Sequence, residues 1–266
     1  LNPAEVRNSL SRAKAASCCS TLAASTVEDA PVATRRAVVI FTGDPRREER
    51  LKNLPCCFLS TLHEHLIRTV RESSDAFLVL ASDAGSELEL TGLHGCVTVP
   101  GASLAEKLDA TIRHLFEEFT EVVVLAGDVA GLTGEILARA FDTLDRVEGS
   151  MVVGPSDDGG FYLVGFNRPP GMDWSAIRWY SQRTCMELVV EGIRSGLSPV
   201  LLPTIRDIDS RHDATAVARS LPVSLRALRS RLLSLLATNQ PALTSSSRFI
   251  PAAYRSLSGL RAPPLV

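Results

Sequence analysis

Short apolar runs recur along this chain, separated by polar stretches and by segments with a helical stripe. "RRAVVIFTG" ends in Gly43, "DAFLVLAS" follows, and "CVTVP" is a shorter third run. "EVVVLAGD" is apolar at every other position and in between, so both faces are buried. "MVVGPSDDGGFYLVGF", Met151–Phe166, holds two runs around an Asp-Asp-Gly-Gly turn, and "SPVLLPTIRDID" holds one more. Between them the period changes to 3.6. In "SLAEKLDATIRHLFEEF" the apolar positions Leu104, Leu108, Ile112, Leu115, Phe116 and Phe119 form one stripe. Ser103 and Glu106 supply a capping box. Further helices are expected from about Pro55 to Arg71, from Thr133 as a cap, and over "SQRTCMELVVEGIRSG" up to Gly196. "DPRREERLKN" reads as a polar loop. Strands alternating with helices predict an α/β domain with a mostly parallel sheet covered on both faces.

The expected division is a poorly ordered tail over residues 1–33, a domain over 34–220, and an amphipathic helix with a C-terminal tail over 221–266. The helix, "SLRALRSRLLSLLA", is expected to pack on a surface rather than on a membrane. Beyond Thr238 the chain is rich in Ser and Pro.

Composition narrows the function. The 266 residues carry a formal net charge of -2, which argues against a nucleic-acid binder led by bulk positive charge. No apolar run reaches the roughly 18 residues that span a bilayer, and the N-terminal segment has no clean apolar core of a secretory signal. The six cysteines show no CxxC and no zinc spacing, so they read as free thiols of a cytoplasmic protein.

The candidate chemistry gathers where strands end. In open α/β sheets ligands bind beyond the carboxyl ends of the strands. Asp128 stands directly after "VVVLAG", Asp157 and Asp158 follow another run, and Asp207 and Asp209 follow a third. Such a cluster repels itself unless a cation joins it, and an all-oxygen set suits Mg²⁺ or Mn²⁺. The Asp-Gly-Gly turn is equally well read as tight-turn chemistry at this point. Of the three lysines, Lys52 and Lys107 fall near the expected carboxyl edge, and Arg46 and Arg47 lie in the basic stretch between them and the first strand. There is no Walker loop and no GxGxxG.

The succession "VVVLAGDVAGLTGEILARAF", "VVGPSDDGGFYLVGF", "IRWYSQRT" and "GLSPVLLPTIRDIDSRHD" resembles a family of bacterial transferases with the glycosyltransferase-A fold. These are known as arsenosugar-biosynthesis or selenium-domain-associated glycosyltransferases, and are related to the guanylyltransferases of molybdenum cofactor and coenzyme F420. The resemblance covers about residues 36–220. It implies a metal ligand at Asp128 with Asp207 and Asp209, and a catalytic role for Asp128 and Asp158. It implies substrate or nucleotide contacts at Arg46, Arg47, Lys52, Lys107, Gly159, Gly160 and Trp179, with bare N–H groups of the glycine turn offered to substrate. The partners it implies are a nucleotide sugar or nucleoside triphosphate and a small-molecule acceptor.

The chain departs from the family pattern in three places. Its first loop reads "DPRREERLKNL" instead of a glycine followed by Lys-Thr-Arg, Ala130 replaces a proline, and Tyr180 separates Trp179 from Ser181. The expected activity is metal-dependent transfer from a nucleotide sugar. The alternatives are nucleotidyl transfer and a catalytically eroded nucleotide-binding relative.

Overall fold

The computed structural model describes residues 35–82, 92–98 and 101–238. The tails over 1–33 and 239–266 lie outside the described residues. Seven strands form one sheet: β1 (Arg36–Thr42), β2 (Phe77–Ser82), β3 (Gly95–Thr98), β4 (Glu121–Ala126), β5 (Ser150–Pro155), β6 (Phe161–Phe166) and β7 (Ser198–Leu201). Their spatial order is β3-β2-β1-β4-β6-β5-β7. β6 is antiparallel to β4 and β5, and every other described pairing is parallel. This is the mixed α/β sheet that the alternation of runs predicts. Each of the apolar runs forms a strand.

The helices are α1 (Pro45–Leu51), α2 (Phe58–Ser73), α3 (Leu104–Leu115), α4 (Gly134–Arg146), α5 (Thr184–Arg194), α6 (Arg211–Ser220) and α7 (Arg226–Thr238). Neighbouring residues of β6 show how they divide. Any side chain at Gly165 would meet Leu144 of α4, whereas Phe166 sets its ring edge against Trp174, 6.2 Å away. Successive strand residues point to opposite faces, so α4 and the short turn at Trp174–Ala176 cover opposite faces. α2 packs beside α4, and α3 and α5 pack beside that turn, which completes three layers. The strand cores, including Val38–Ile40 and Val122–Val124, are inaccessible to solvent.

One expectation changes. "DPRREERL" is a helix, not a loop. Asp44 caps α1 by accepting from the N–H groups of Arg46 and Arg47, Pro45 occupies the first turn, and Glu48 reaches back to the Gly43 N–H. That is the Pro-at-N1 and side-chain N-cap chemistry of a helix start, masked in the sequence by the density of charge. The amphipathic helix after residue 220 packs against the domain. Leu228, Leu232 and Leu236 of α7 are buried with Leu54, Phe58, Leu59 and Leu62 in a second apolar cluster. Four-residue spacing puts these leucines on one face, so α7 is a layer of the fold through Thr238.

Candidate active site

The carboxyl ends of β1, β4 and β5 and the segment after β7 converge. β4 leads into Gly127 and Asp128. A side chain at Gly127 would sit 2.8 Å from Thr42 and 2.9 Å from His63, so glycine there lets the strand end press against β1 and α2. His63 is wholly buried, and its Nε2 lies 3.2 Å from the Thr42 hydroxyl. Burial pushes its imidazole down to about 4 against the opposing pull of Asp128, so it is neutral at pH 7.

Asp128 does not stand open to solvent. Its Oδ2 accepts a 2.6 Å hydrogen bond from Lys52 Nζ, and both side chains are buried. The same ammonium donates to the Ile208 carbonyl at 2.9 Å and lies 3.7 Å from Asp209 Oδ1. Lys52 is the C-cap of α1, so this helix is what aims the lysine inward.

The turn after β5 brings in Asp158. Its Oδ1 accepts from the Gly160 N–H at 2.8 Å, and its Oδ2 is buried with no hydrogen-bond partner among the described residues. The Ser156 hydroxyl on the same turn is in the same condition. A bridge between Ser156 and Ile205 ties this turn to the segment that carries Asp207 and Asp209. One carboxylate oxygen each from Asp158, Asp207 and Asp209 lie within 4.8 Å of one another. A hard cation about 2.0–2.6 Å from its oxygens separates them by no more than about 4–5 Å, so the three fit a divalent ion of the Mg²⁺, Mn²⁺ or Ca²⁺ type. The unsatisfied Asp158 oxygen could serve as a ligand to such an ion.

The glycine turn does a different task from the one expected. The Gly159 N–H donates to the Ser156 carbonyl and the Gly160 N–H to Asp158, so neither is bare toward a substrate. Gly159 has φ +90°, and a side chain there would be 2.2 Å from the Gln182 carbonyl oxygen. Its own carbonyl accepts from the Cys185 N–H. The glycine is required by this backbone contact, which seats the turn against the start of α5.

The other expected residues are spread around this centre. Arg46 and Arg47 are exposed on the first turn of α1, beyond the end of β1. Lys107 is half-buried in the first turn of α3. Trp179 donates its indole N–H to the Trp174 carbonyl and stacks on the Trp174 ring, which makes it part of the packing under the sheet. Asp157 pairs with Arg206 at 3.3 Å, and Arg206 also lies 4.0 Å from Asp213. Arg206 and His63 had no place in the sequence reading. The signal for His63 was available, since His63 shares the buried stripe of α2 with Leu59, Leu62 and Leu66.

Residues 67–181 match a family model described as an uncharacterised protein conserved in bacteria, DUF2064. No curated protein matches the chain. Among solved structures, a candidate nucleotide-diphospho-sugar transferase from Desulfovibrio desulfuricans G20 is similar at 20% identity, over 77% of this chain and 98% of that one, with a TM-score of 0.62. The fold is nucleotide-diphospho-sugar transferase-like. Rv0371c from Mycobacterium tuberculosis H37Rv is similar at 20% identity over 71% of this chain and 100% of that one, with a TM-score of 0.51. The same protein in complex with manganese gives 19% identity, 71% and 100% coverage, and 0.47. A cytidylyltransferase from Leptospira borgpetersenii gives 14% identity, 78% and 98% coverage, and 0.47. No described helix is long and apolar enough to cross a membrane.

Proposed function

We propose that the protein is a metal-dependent transferase that takes its donor group from a nucleotide sugar. The observation that carries this reading is the convergence of Asp158, Asp207 and Asp209 beyond the carboxyl ends of the strands, where this class of sheet binds ligands. The shared fold with a candidate nucleotide-diphospho-sugar transferase supports the donor class by analogy. Within that class, the arsenosugar-biosynthesis and selenium-domain branch is the finer form of the proposal.

Asp158, Asp207 and Asp209 would hold Mg²⁺ or Mn²⁺, which when bound offsets the charge that builds on the departing nucleoside diphosphate. The chain's own residues do the rest. The hydrogen bond from Gly160 fixes one oxygen of Asp158 and leaves the other without a hydrogen bond among the described residues. Arg46 and Arg47 at the rim supply exposed positive charge toward phosphates. Arg206, paired with Asp157 on the turn after β5, is a further exposed positive group next to Asp207 that could meet the acceptor.

The test is product analysis with Mn²⁺ and a panel of nucleotide sugars. Release of nucleoside diphosphate, absent in Asp207→Asn, supports glycosyl transfer. Release of pyrophosphate from a nucleoside triphosphate moves the reading to nucleotidyl transfer. Metal-dependent nucleotide binding with no product identifies a non-catalytic relative.

A further inference from the structure

Asp128, Asp158, Asp207 and Asp209, beyond the strand ends, are not equivalent. Asp128 is closed onto Lys52 at 2.6 Å, whereas Asp158 keeps one buried oxygen without a hydrogen bond. Asp209 stands between the two groups. It belongs to the three oxygens within 4.8 Å, and its Oδ1 is also 3.7 Å from Lys52 Nζ. Two-metal sites place their ions about 3.5–4 Å apart, joined by shared carboxylates. Here one of the two positive positions is already filled by a side chain. The Lys52 ammonium has Asp128, the Ile208 carbonyl and Asp209 around it, and its side chain is 4% exposed.

Resting on the metal-dependent reading above, we propose that Lys52 is a built-in second cation. The site takes one divalent ion, on Asp158, Asp207 and Asp209, and Asp128 serves as the counter-ion that positions Lys52. Geometry supports this assignment from both sides. A second divalent ion on Asp128 and Asp209 would have to share their oxygens with an ammonium that reaches both, and like charges at that spacing repel strongly in a buried setting. Lys52 also cannot swing away cheaply, because it leaves the C-terminal end of α1 directly into the interior and Ile208 holds it from the opposite side. Lys52 thus acts on Asp209, and through Asp209 on the ion, without needing to touch a nucleotide.

The experiment is Mn²⁺ titration of the full chain, followed by the electron paramagnetic resonance signal of free Mn²⁺. Wild type is expected to saturate at one ion per chain. Lys52→Ala opens the position between Asp128 and Asp209 and is expected to take up a second ion. The double variant Lys52→Ala/Asp128→Asn, which removes one ligand of that position, should return to one. Two ions in wild type, or one ion in a folded Lys52→Ala with unchanged affinity, overturn the inference. Wild type alone decides against it even where the variants fail to fold. If wild type binds no Mn²⁺ at all, the metal-dependent reading falls together with this inference; if it binds two, only this inference falls.

Discussion

Lys52 and Asp128 stand 76 residues apart in the chain and meet at 2.6 Å, with both side chains buried. The pair links the end of α1 to the end of β4 and, through Ile208, to the segment after β7.

Breaking this pair from one side leaves a buried charge alone. Lys52→Ala is expected to lower stability by about 3–5 kcal/mol. Adding Asp128→Ala to it should cost much less than the sum of the two single changes. Urea unfolding of the four proteins measures the coupling, and strict additivity would mean that the pair contributes nothing as a pair.

Gly159→Ala should be harmful out of proportion to its size. The added carbon meets the Gln182 carbonyl oxygen at 2.2 Å, in a backbone region with φ +90° that L side chains rarely adopt. A loss of about 1–3 kcal/mol is expected, together with weaker Mn²⁺ binding, because the same turn carries Asp158. Unchanged melting and unchanged Mn²⁺ affinity would show that the turn can move off α5 freely.

The cap of α1 is testable on its own. Asp44→Ala removes the acceptor for the Arg46 and Arg47 N–H groups. It should cost about 0.5–2 kcal/mol, and Asp44→Asn should restore most of that. Thermal melts of the two variants are enough to tell. Equal stability of Asp44→Ala and wild type would mean that α1 is held only by its tertiary contacts.

How far the sequence foretold the structure differs from element to element. The strands were legible because runs such as "EVVVLA" are buried on both faces, and that burial is a local property of the run. Ser103 and Thr133 were legible as caps for the same reason, and both accept the expected backbone N–H. α1 was hidden by its charge, although Asp44-Pro45 was in plain view. The partner of Asp128 was not legible at all. An inward-pointing lysine is the exception among lysines, and what draws Lys52 inward is a carboxylate at the end of the neighbouring strand β4, 76 residues further along the chain. Asp158, Asp207 and Asp209 could each be found as strand-end aspartates, but which three come within 4.8 Å of one another depends on tertiary contacts such as the bridge between Ser156 and Ile205. The glycines of the Asp-Gly-Gly turn serve the backbone, and one carboxylate oxygen of its Asp158 lies within 4.8 Å of those of Asp207 and Asp209.

Stability should also depend on pH through Glu121, away from the site. Its carboxyl is pushed up to about 7, first by burial and then by a hydrogen bond with Asp145, against the opposing effect of Arg36. The folded state therefore favours the protonated form. This group's contribution is full below its ordinary value near 4.5 and is lost as pH rises through about 7. Glu121→Gln stays neutral throughout, so its stability should gain on wild type between pH 4.5 and 7. Chemical denaturation over that range checks this, and parallel curves would contradict it.

The central claim is that Asp158, Asp207 and Asp209 hold a divalent cation that in turn holds a nucleotide. The most direct measurement is the melting temperature of wild type and Asp207→Asn with a nucleoside diphosphate, in Mn²⁺ and in chelator. A ligand at 100 times its dissociation constant stabilises the folded state by about 2.7 kcal/mol. The account predicts that the nucleotide raises the melting temperature of wild type in Mn²⁺, and has no effect in chelator or on Asp207→Asn. An equal rise in chelator, or in the variant, would contradict it.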